Sequence, residues 1–127
     1  LGVVANIADE IAVMYAGKIV EYGKAEDIFV RPGHPYTWGV LQSIPPEDTS
    51  NREPLHPILG SPPDLFNPPV GCPFAARCPF AMKACNQVYP QKYALEGEGH
   101  WCSCWLYHAK ALDVVNPITG KAVLKSE

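Results

Sequence analysis

All five cysteines of the chain lie between Cys72 and Cys104, and this clustering limits the structures that the chain can form. An odd number of cysteines confined to one stretch does not suit a disulfide framework, which usually distributes an even set along a small secreted domain. The first residues, Leu1–Val4, also lack the basic region and cleavage site of a secretory signal peptide. We therefore expect a metal or cluster site in a reducing compartment, with disulfides and purely structural thiols as the alternatives.

The charge and hydropathy of the chain argue against nucleic-acid binding and against a membrane span. The formal net charge is −3 and the lysines and arginines form no basic run, whereas nucleic-acid-binding surfaces are usually basic. No apolar run approaches the roughly 20 residues that a membrane-spanning helix requires. With 127 residues, of which 47% are hydrophobic, the chain can form one modest domain or two small units.

The N-terminal third predicts a β-hairpin flanked by helices. Two runs rich in strand-forming residues, Ile11–Tyr15 and Lys18–Tyr22, flank Ala16-Gly17, where glycine suits the positive φ of a tight turn. An isolated hairpin is marginal in water, so we expect it to join a larger sheet outside this chain, and we expect its open edges to favour self-association. Helical spacing predicts a helix end over residues 1–10 and short helices over residues 24–30 and 36–44.

The rest of the chain predicts irregular structure. Residues 47–53 are polar and typical of a linker, whereas residues 54–69 are proline-rich but apolar, which predicts extended chain packed on a surface. The cysteine region predicts loops with a short helix at residues 81–85, and residues 113–127 predict a short strand or a frayed tail. The predicted fold class is α+β, in which a hairpin and short helices precede a proline-rich, loop-rich, cysteine-containing extension.

Five motifs follow one another between Leu1 and Tyr107. Residues 8–23 read ADEIAVMYAGKIVEYG after an opening LGVVA, residues 34–37 read HPYT, residues 58–63 read ILGSPP, residues 71–85 read GCPFAARCPFAMKAC, and residues 99–107 read GHWCSCWLY. The first motif resembles the segment of ABC ATPases that follows the switch histidine. The other four, in this order, resemble the C-terminal extension of ATPases from dipeptide and oligopeptide importers.

This resemblance implies a division of the chain and a cellular setting. Residues 1–46 would be the C-terminal end of an ABC ATPase domain, residues 47–70 a proline-rich linker, residues 71–108 a cluster-binding extension and residues 109–127 a tail. The expected partners are a second ATPase subunit, identical or paralogous, and the transmembrane permease subunits. The expected location is the cytoplasmic side of the cell membrane, as a peripheral protein.

The sequence lacks the motifs that bind and hydrolyse ATP. We find no Walker A loop, no Walker B carboxylate and no ABC signature, and we therefore interpret the chain as a fragment without catalytic or ATP-binding residues. ATP and magnesium would bind only in the intact subunit, which the resemblance implies is a transport ATPase that drives peptide import.

Four of the cysteines match the family motifs, and their spacing is C-x5-C-x6-C-x18-C: Cys72, Cys78, Cys85 and Cys104. Four thiolates can hold one zinc ion or a [4Fe–4S] cluster. Structural zinc sites usually use cysteine pairs separated by about two to four residues, and these four contain no such pair. The family resemblance implies a [4Fe–4S] cluster, with zinc as the alternative. Cys102 does not match the motif, and we prefer Cys104 as the ligand because it directly precedes the Trp-Leu-Tyr sequence at residues 105–107.

Other functional classes remain open. The chain could be a stand-alone iron–sulfur or zinc-binding regulatory module, whereas a small enzyme would need a convergent nucleophile, base and orienting group, which we do not find. We interpret His34 as a turn residue whose ring bonds to the backbone, and His100 as either structural or a hydrogen-bond donor to the cluster. The cluster would either stabilise an extension that has few core residues, or sense the redox state or the iron supply of the cell.

Overall fold

The computed structural model describes residues 9–43 and 70–125, which form a small α+β structure. Within these two stretches, one antiparallel sheet of four strands is accompanied by two short α-helices and two single-turn 3-10 helices. The strands are β1 (Glu10–Tyr15), β2 (Lys18–Lys24), β3 (Lys92–Ala94) and β4 (Trp101–Ser103), the α-helices are α1 (Ala25–Val30) and α2 (Pro35–Gln42), and the 3-10 helices span Lys83–Asn86 and Trp105–Tyr107.

The predicted hairpin is confirmed. Strands β1 and β2 are joined by Ala16-Gly17, whose φ angles are +52° and +80°, as expected for a two-residue turn in which both residues are left-handed. The pairing shifts between Val13 and Met14, which is a β-bulge. The hairpin therefore forms where the turn sequence predicts it.

The larger sheet that the hairpin needs is supplied partly by this chain, so the expectation that it would lie wholly outside the chain is wrong. The strand order is β1-β2-β4-β3, and β2 pairs with β4 through Glu21 opposite Cys102 and Tyr22 opposite Trp101. Strands β3 and β4 each have three residues and lie in the region that was predicted to be loops. The predicted segment boundaries stay predictions, although the sheet joins strands from the first and third segments.

The helices lie close to their predicted positions. Helix α1 begins one residue after the expected start, and α2 spans Pro35–Gln42 where residues 36–44 were predicted. The predicted helix end at residues 1–10 lies almost entirely outside the described residues, and Glu10 belongs to β1. The proline-rich residues 54–69 lie outside the described residues as well. Within the described part of the chain, no helix is both long and apolar enough to cross a membrane.

Two groups of buried side chains form the core. The smaller group, Tyr15, Val20 and Phe74, packs the hairpin against the first cysteine loop. The larger group lies between α2, the β3–β4 pair and the C-terminal tail, and consists of Trp38, Tyr93, Cys102, Cys104, Leu106, Tyr107 and Val114. The tail is folded rather than frayed, because Val115 and Ala122 form an isolated antiparallel bridge.

Candidate functional site

The carboxylate of Glu21 is completely buried and joins three separate segments of the chain. Its side chain is 0% exposed on the face of β2 that points into the core. One carboxylate oxygen accepts hydrogen bonds from the Gly33 backbone N–H at 2.7 Å and from Nε2 of His100 at 2.6 Å. The other oxygen accepts a hydrogen bond from the His34 backbone N–H at 2.9 Å. A single acid thus connects the hairpin, the turn before α2 and the loop before β4.

His100 donates hydrogen bonds from both ring nitrogens and forms an ion pair with Glu21. Nδ1 lies 3.1 Å from the carbonyl oxygen of Glu96, which can only accept, while Nε2 faces the Glu21 carboxylate. Burial disfavours the charged ring, but the hydrogen bond and the charge of Glu21 outweigh burial and raise the pKa of His100. Because both ring nitrogens face protein acceptors, the geometry supports the structural alternative for His100 over the alternative of a donor to a cluster.

His34 is buried and neutral, and it caps α2. Its Nδ1 accepts a hydrogen bond from the Tyr36 backbone N–H at 3.0 Å, which confirms the prediction that the ring bonds to the backbone of the turn. Burial lowers the pKa of His34 to about 4, although Glu21 acts in the opposite direction. The pKa values of the two histidines around Glu21 are therefore shifted in opposite directions.

The backbone of the turn before α2 is held by hydrogen bonds from distant side chains. The Pro32 carbonyl accepts from Nε1 of Trp38 at 2.8 Å and from Nδ2 of Asn116 at 2.7 Å. The Gly33 carbonyl accepts from the Tyr107 hydroxyl at 2.7 Å. Buried carbonyls without partners are costly, so these bonds fix the turn against both the cysteine region and the tail.

Two glycines in this region have no room for a side chain. A Cβ at Gly33 would lie 2.3 Å from Cδ1 of Leu95 and 3.0 Å from the Tyr107 hydroxyl. A Cβ at Gly23 would lie 2.9 Å from the ring of His100. The glycines of the hairpin and turn motifs thus allow the close approach that lets Glu21 reach its donors.

Cys72 and Cys78 lie in one loop, Cys85 lies in the first 3-10 helix, and Cys102 and Cys104 lie in and directly after β4. Cys72 and Cys78 are half-buried and pack against the small core group of Tyr15, Val20 and Phe74. The Cys72 backbone N–H donates to the Cys85 carbonyl at 2.7 Å, which closes the first loop onto the 3-10 helix. Cys104 is buried and follows β4 directly. All five cysteines are free thiols.

Four of the thiols interact electrostatically. Burial is the main cause that raises the pKa of Cys104, and Cys78, Cys72 and Cys85 raise it further. Burial likewise raises the pKa of Cys78 to about 12, with additional contributions from Cys72 and Cys85. Burial and the neighbouring cysteines therefore both favour the neutral thiol form of Cys78 and Cys104.

Cys102 lies in a different environment. It is 0% exposed, and its pKa is raised well above the usual thiol value by burial first and then by Cys104 and Glu21. Its sulfur lies in the larger core group, near Gly33 and Tyr107. Among the described residues, no three or more His, Cys, Asp or Glu side chains are arranged to hold a single metal ion.

Sequence reasoning missed the central role of Glu21. The signal was present, because Glu21 is one of the residues of the hairpin motif and lies between Val20 and Tyr22 in a strand-forming run. A glutamate in a short hairpin is normally read as solvent-exposed, since Glu is almost never fully buried without a partner. Its partners lie as far as His100, which no local pattern connects to the hairpin.

Comparison with known proteins places these features in a family. Residues 20–85 match the family model described as "Oligopeptide/dipeptide transporter, C-terminal region". The chain is 54% identical over 111 residues to the dipeptide transport ATP-binding protein DppD of Bacillus subtilis, covering 87% of this chain and 32% of the relative. It is 47% identical over 125 residues to the oligopeptide transport ATP-binding protein OppD of the same organism, covering 98% of this chain and 35% of the relative.

A third relative gives the same result. The oligopeptide transport ATP-binding protein OppD of Salmonella typhimurium is 52% identical over 90 residues, covering 71% of this chain and 27% of the relative. The chain thus spans about a third of the length of the curated relatives that it matches. The matched region of the family model runs from β2 to Cys85 and contains Glu21 together with three of the four interacting cysteines.

Proposed function

Because this chain belongs to the family of oligopeptide/dipeptide transporter C-terminal regions, we propose that it is the non-catalytic C-terminal part of an ATP-binding subunit in a peptide-importing ABC transporter. The observation that carries this proposal is the family match over residues 20–85, which includes Glu21, its backbone donors Gly33 and His34, and the first three cysteines. The intact subunit would bind ATP and magnesium and hydrolyse ATP to drive import. This C-terminal part would contribute to the assembly of the transporter subunits and would not take part in ATP hydrolysis.

We further propose that Cys72, Cys78, Cys85 and Cys104 bind a [4Fe–4S] cluster. Thiolates are the ligands of such clusters, and the neighbouring cysteines contribute to the raised pKa values of Cys78 and Cys104. Four neighbouring thiolates repel each other, and positively charged iron would remove that repulsion. When bound, the cluster would cross-link the loops and could exchange one electron.

The protein residues prepare this site in a way that favours a structural role. Cys72 and Cys85 are already connected by a backbone hydrogen bond, and a Cβ at Gly71 would lie 2.1 Å from the Cys85 carbonyl oxygen. The first loop is therefore tight before any ligand binds. Cys104 comes from the sheet, so a shared cluster would tie the loop to β4 and, through Glu21, to the hairpin.

The proposed partners are a second ATPase subunit and the transmembrane permease subunits, at the cytoplasmic side of the membrane. The relatives' names as transport ATP-binding proteins support this setting. The extension has an apolar groove of about 390 Å³ beside Trp105, and the neighbouring Val88 and Leu112 are 58% and 44% exposed. An apolar surface of this kind is typical of a contact between proteins.

The alternative is a stand-alone iron–sulfur or zinc-binding regulatory module. Metal analysis of the anaerobically purified chain separates the candidates for the site: about four irons and four sulfides per chain support the cluster, whereas one zinc and no iron would replace it. Cys104→Ser should abolish iron binding, and the matched variant Cys102→Ser should retain it. The reverse pattern would overturn our ligand assignment.

The transporter role is tested in the full-length ATP-binding subunit that carries this region. Peptide uptake and ATP hydrolysis are measured in membranes that contain the wild-type transporter or the Cys104→Ser subunit. We expect uptake to fall together with subunit assembly, while Cys102→Ser leaves both unchanged. A transporter that takes up peptide normally after deletion of residues 71–108 would contradict the proposed assembly role.

A further inference from the structure

A cleft of about 620 Å³ lies between the edge of β3, the turn before α2 and the C-terminal tail. Its lining includes the buried side chains of Tyr107 and Asn116, and none of the five cysteines lines it. The cleft is therefore separate from the cysteine site. Its volume lies within the range of about 300–1,000 Å³ in which proteins bind small molecules.

The protein itself holds the walls of this cleft in place. Nδ2 of Asn116 donates to the Pro32 carbonyl at 2.7 Å, which ties the tail to the turn before α2. Oδ1 of Asn116 accepts from the backbone N–H groups of Ile118 at 2.9 Å and of Thr119 at 3.3 Å. A preformed site binds its ligand at a smaller cost in ordering, so this rigidity favours binding.

The edge of β3 offers backbone hydrogen-bonding groups to the cleft. The Leu95 N–H donates to the His100 carbonyl at 2.8 Å, as in a hydrogen-bonded pair of an antiparallel ladder. Because such pairs alternate with pairs that are not hydrogen-bonded, the N–H and C=O of Ala94 point away from β4. Ala94 lines the cleft, and within residues 9–43 and 70–125 these two groups have no backbone partner. An edge of this kind can pair with an added extended chain.

The cleft also presents one unpaired charge of each sign. Glu96 follows β3 and Lys121 lies in the tail, and both are exposed and line the cleft. Arg31 lines it too, but it forms an ion pair with Asp27. In the described part of the chain, neither the Glu96 carboxylate nor the Lys121 ammonium has an ion-pair partner. Between them lies an apolar, partly buried wall: Leu95, Ile118 and Val123.

We propose that this cleft binds a short peptide with free termini. The extended backbone of the peptide pairs with Ala94, and one of its apolar side chains lies on the wall of the cleft. Its α-carboxylate contacts Lys121 and its α-ammonium contacts Glu96. A free amino acid lacks the internal peptide group that pairs with a strand edge, and a segment within a protein lacks the two terminal charges. Only a short free peptide uses all three features.

The choice of a free peptide rests on the proposed function. The relatives are named as dipeptide and oligopeptide transport ATP-binding proteins, and the proposed subunit would lie on the side of the membrane where imported peptide is released. The cleft would then bind the product of transport. A bound peptide would join β3 to the tail and stabilise the folded chain, because a ligand that binds only the folded state shifts the folding equilibrium.

The test is isothermal titration calorimetry of the chain with the tripeptide alanyl-leucyl-alanine. The same peptide is also used with an acetylated N-terminus, with an amidated C-terminus and with both. The variants are Lys121→Gln and Glu96→Gln, and the matched controls are Lys110→Gln and Glu98→Gln, which alter exposed residues that do not line the cleft. Thermal unfolding without peptide verifies that each variant is folded.

We expect Lys121→Gln and Glu96→Gln each to weaken binding of the free tripeptide about five- to tenfold, because each removes a charge-assisted hydrogen bond. Both controls should match the wild type. Amidation should weaken binding to the wild type by the same factor, and Lys121→Gln should then have no further effect. Acetylation should stand in the same relation to Glu96→Gln. This crossed pattern identifies which end of the peptide contacts which residue.

The backbone contact is tested on the ligand, so that the fold is not disturbed. A tripeptide methylated on the leucine nitrogen lacks the N–H that would donate to the Ala94 carbonyl, and it should bind about tenfold more weakly. Binding at the affinity of the unmethylated peptide would contradict the pairing with β3.

Two results would overturn the inference as a whole. One is the absence of binding at millimolar peptide. The other is equal binding of the free and the doubly capped tripeptide, which would indicate an extended protein segment as the occupant. Neither result affects the proposed transporter role, because that role is tested by peptide uptake in the intact transporter.

Discussion

Removing the ring of His100, the partner of Glu21 on β2, should destabilise the fold far more than removing Lys24, which forms an exposed ion pair from the same strand β2. His100 and Glu21 are 1% and 0% exposed, whereas the pair between Lys24 and Glu98, 3.3 Å apart, has side chains that are 55% and 88% exposed. Breaking a buried pair by deleting one member costs about 3–5 kcal/mol, because the remaining charge stays buried without compensation. The exposed pair is worth about 0–1 kcal/mol.

The assay is urea unfolding followed by tryptophan fluorescence, to which the buried Trp38 contributes. His100→Ala should lower the free energy of unfolding by about 3–5 kcal/mol, whereas Lys24→Ala should change it by less than about 1 kcal/mol. His100→Gln keeps an N–H donor without the positive charge and should fall between the two. A His100→Ala variant no less stable than Lys24→Ala would refute the conclusion that Glu21 depends on His100.

The pH dependence of this difference has a definite sign. The pKa of His100 is raised in the folded state, so the folded protein holds the proton more tightly than the unfolded chain. The stabilisation from the charged ring is therefore fully present below about pH 6.5 and is lost as the pH rises through the folded pKa. The gap between the wild type and His100→Ala should be widest near pH 6 and should narrow as the pH rises further.

Two further predictions concern the turn before α2. The pKa of His34 is lowered to about 4, so the free energy of unfolding of the wild type should fall by about 3 kcal/mol as the pH drops from 6.5 to 4. The variant His34→Asn retains an acceptor for the Tyr36 N–H but has no group that titrates in this range. In urea titrations it should therefore lack this part of the loss. If both proteins lose equal stability over this range, His34 is not the group responsible. Gly33→Ala should lower the free energy of unfolding by about 1–3 kcal/mol, because the added Cβ would lie 2.3 Å from Leu95. Thermal unfolding measures this, with Lys24→Ala as the control. An unchanged midpoint would show that Leu95 can move aside.

The parts of the fold that local chemistry determines could be predicted from the sequence. The dipeptide Ala16-Gly17 fixes the hairpin because only a tight turn uses two left-handed residues in succession. Strands β3 and β4 could not be predicted, since three residues give no measurable alternation and their pairing depends on contacts with β2, about 80 residues away in the chain. Tertiary contacts, not local preference, make those residues strands.

For the candidate site, too, some features could be predicted from the sequence and others depend on the tertiary structure. The cysteine spacing indicates a shared ligand, but the coupling of Cys104 to the first loop depends on how β4 is placed. The burial of Glu21 could not be predicted, because a glutamate in a strand is normally placed on the solvent face and its three donors come from Gly33, His34 and His100. Motifs that look independent along the chain contribute to one hydrogen-bonded group.

The position of His100 and Cys104 at opposite ends of β4 explains why the hairpin and the cysteines belong to one structural unit. Glu21 holds His100 at the start of this strand, and the pairing of Glu21 with Cys102 fixes its register, so Cys104 is presented to the first cysteine loop from a defined position. A one-residue slip would turn Cys102 and Cys104 to the other face of the sheet. The buried pair of Glu21 and His100 therefore specifies the register of β4, which leads into Cys104. This role accounts for a buried charge pair that is costly to desolvate in a structure with a small core.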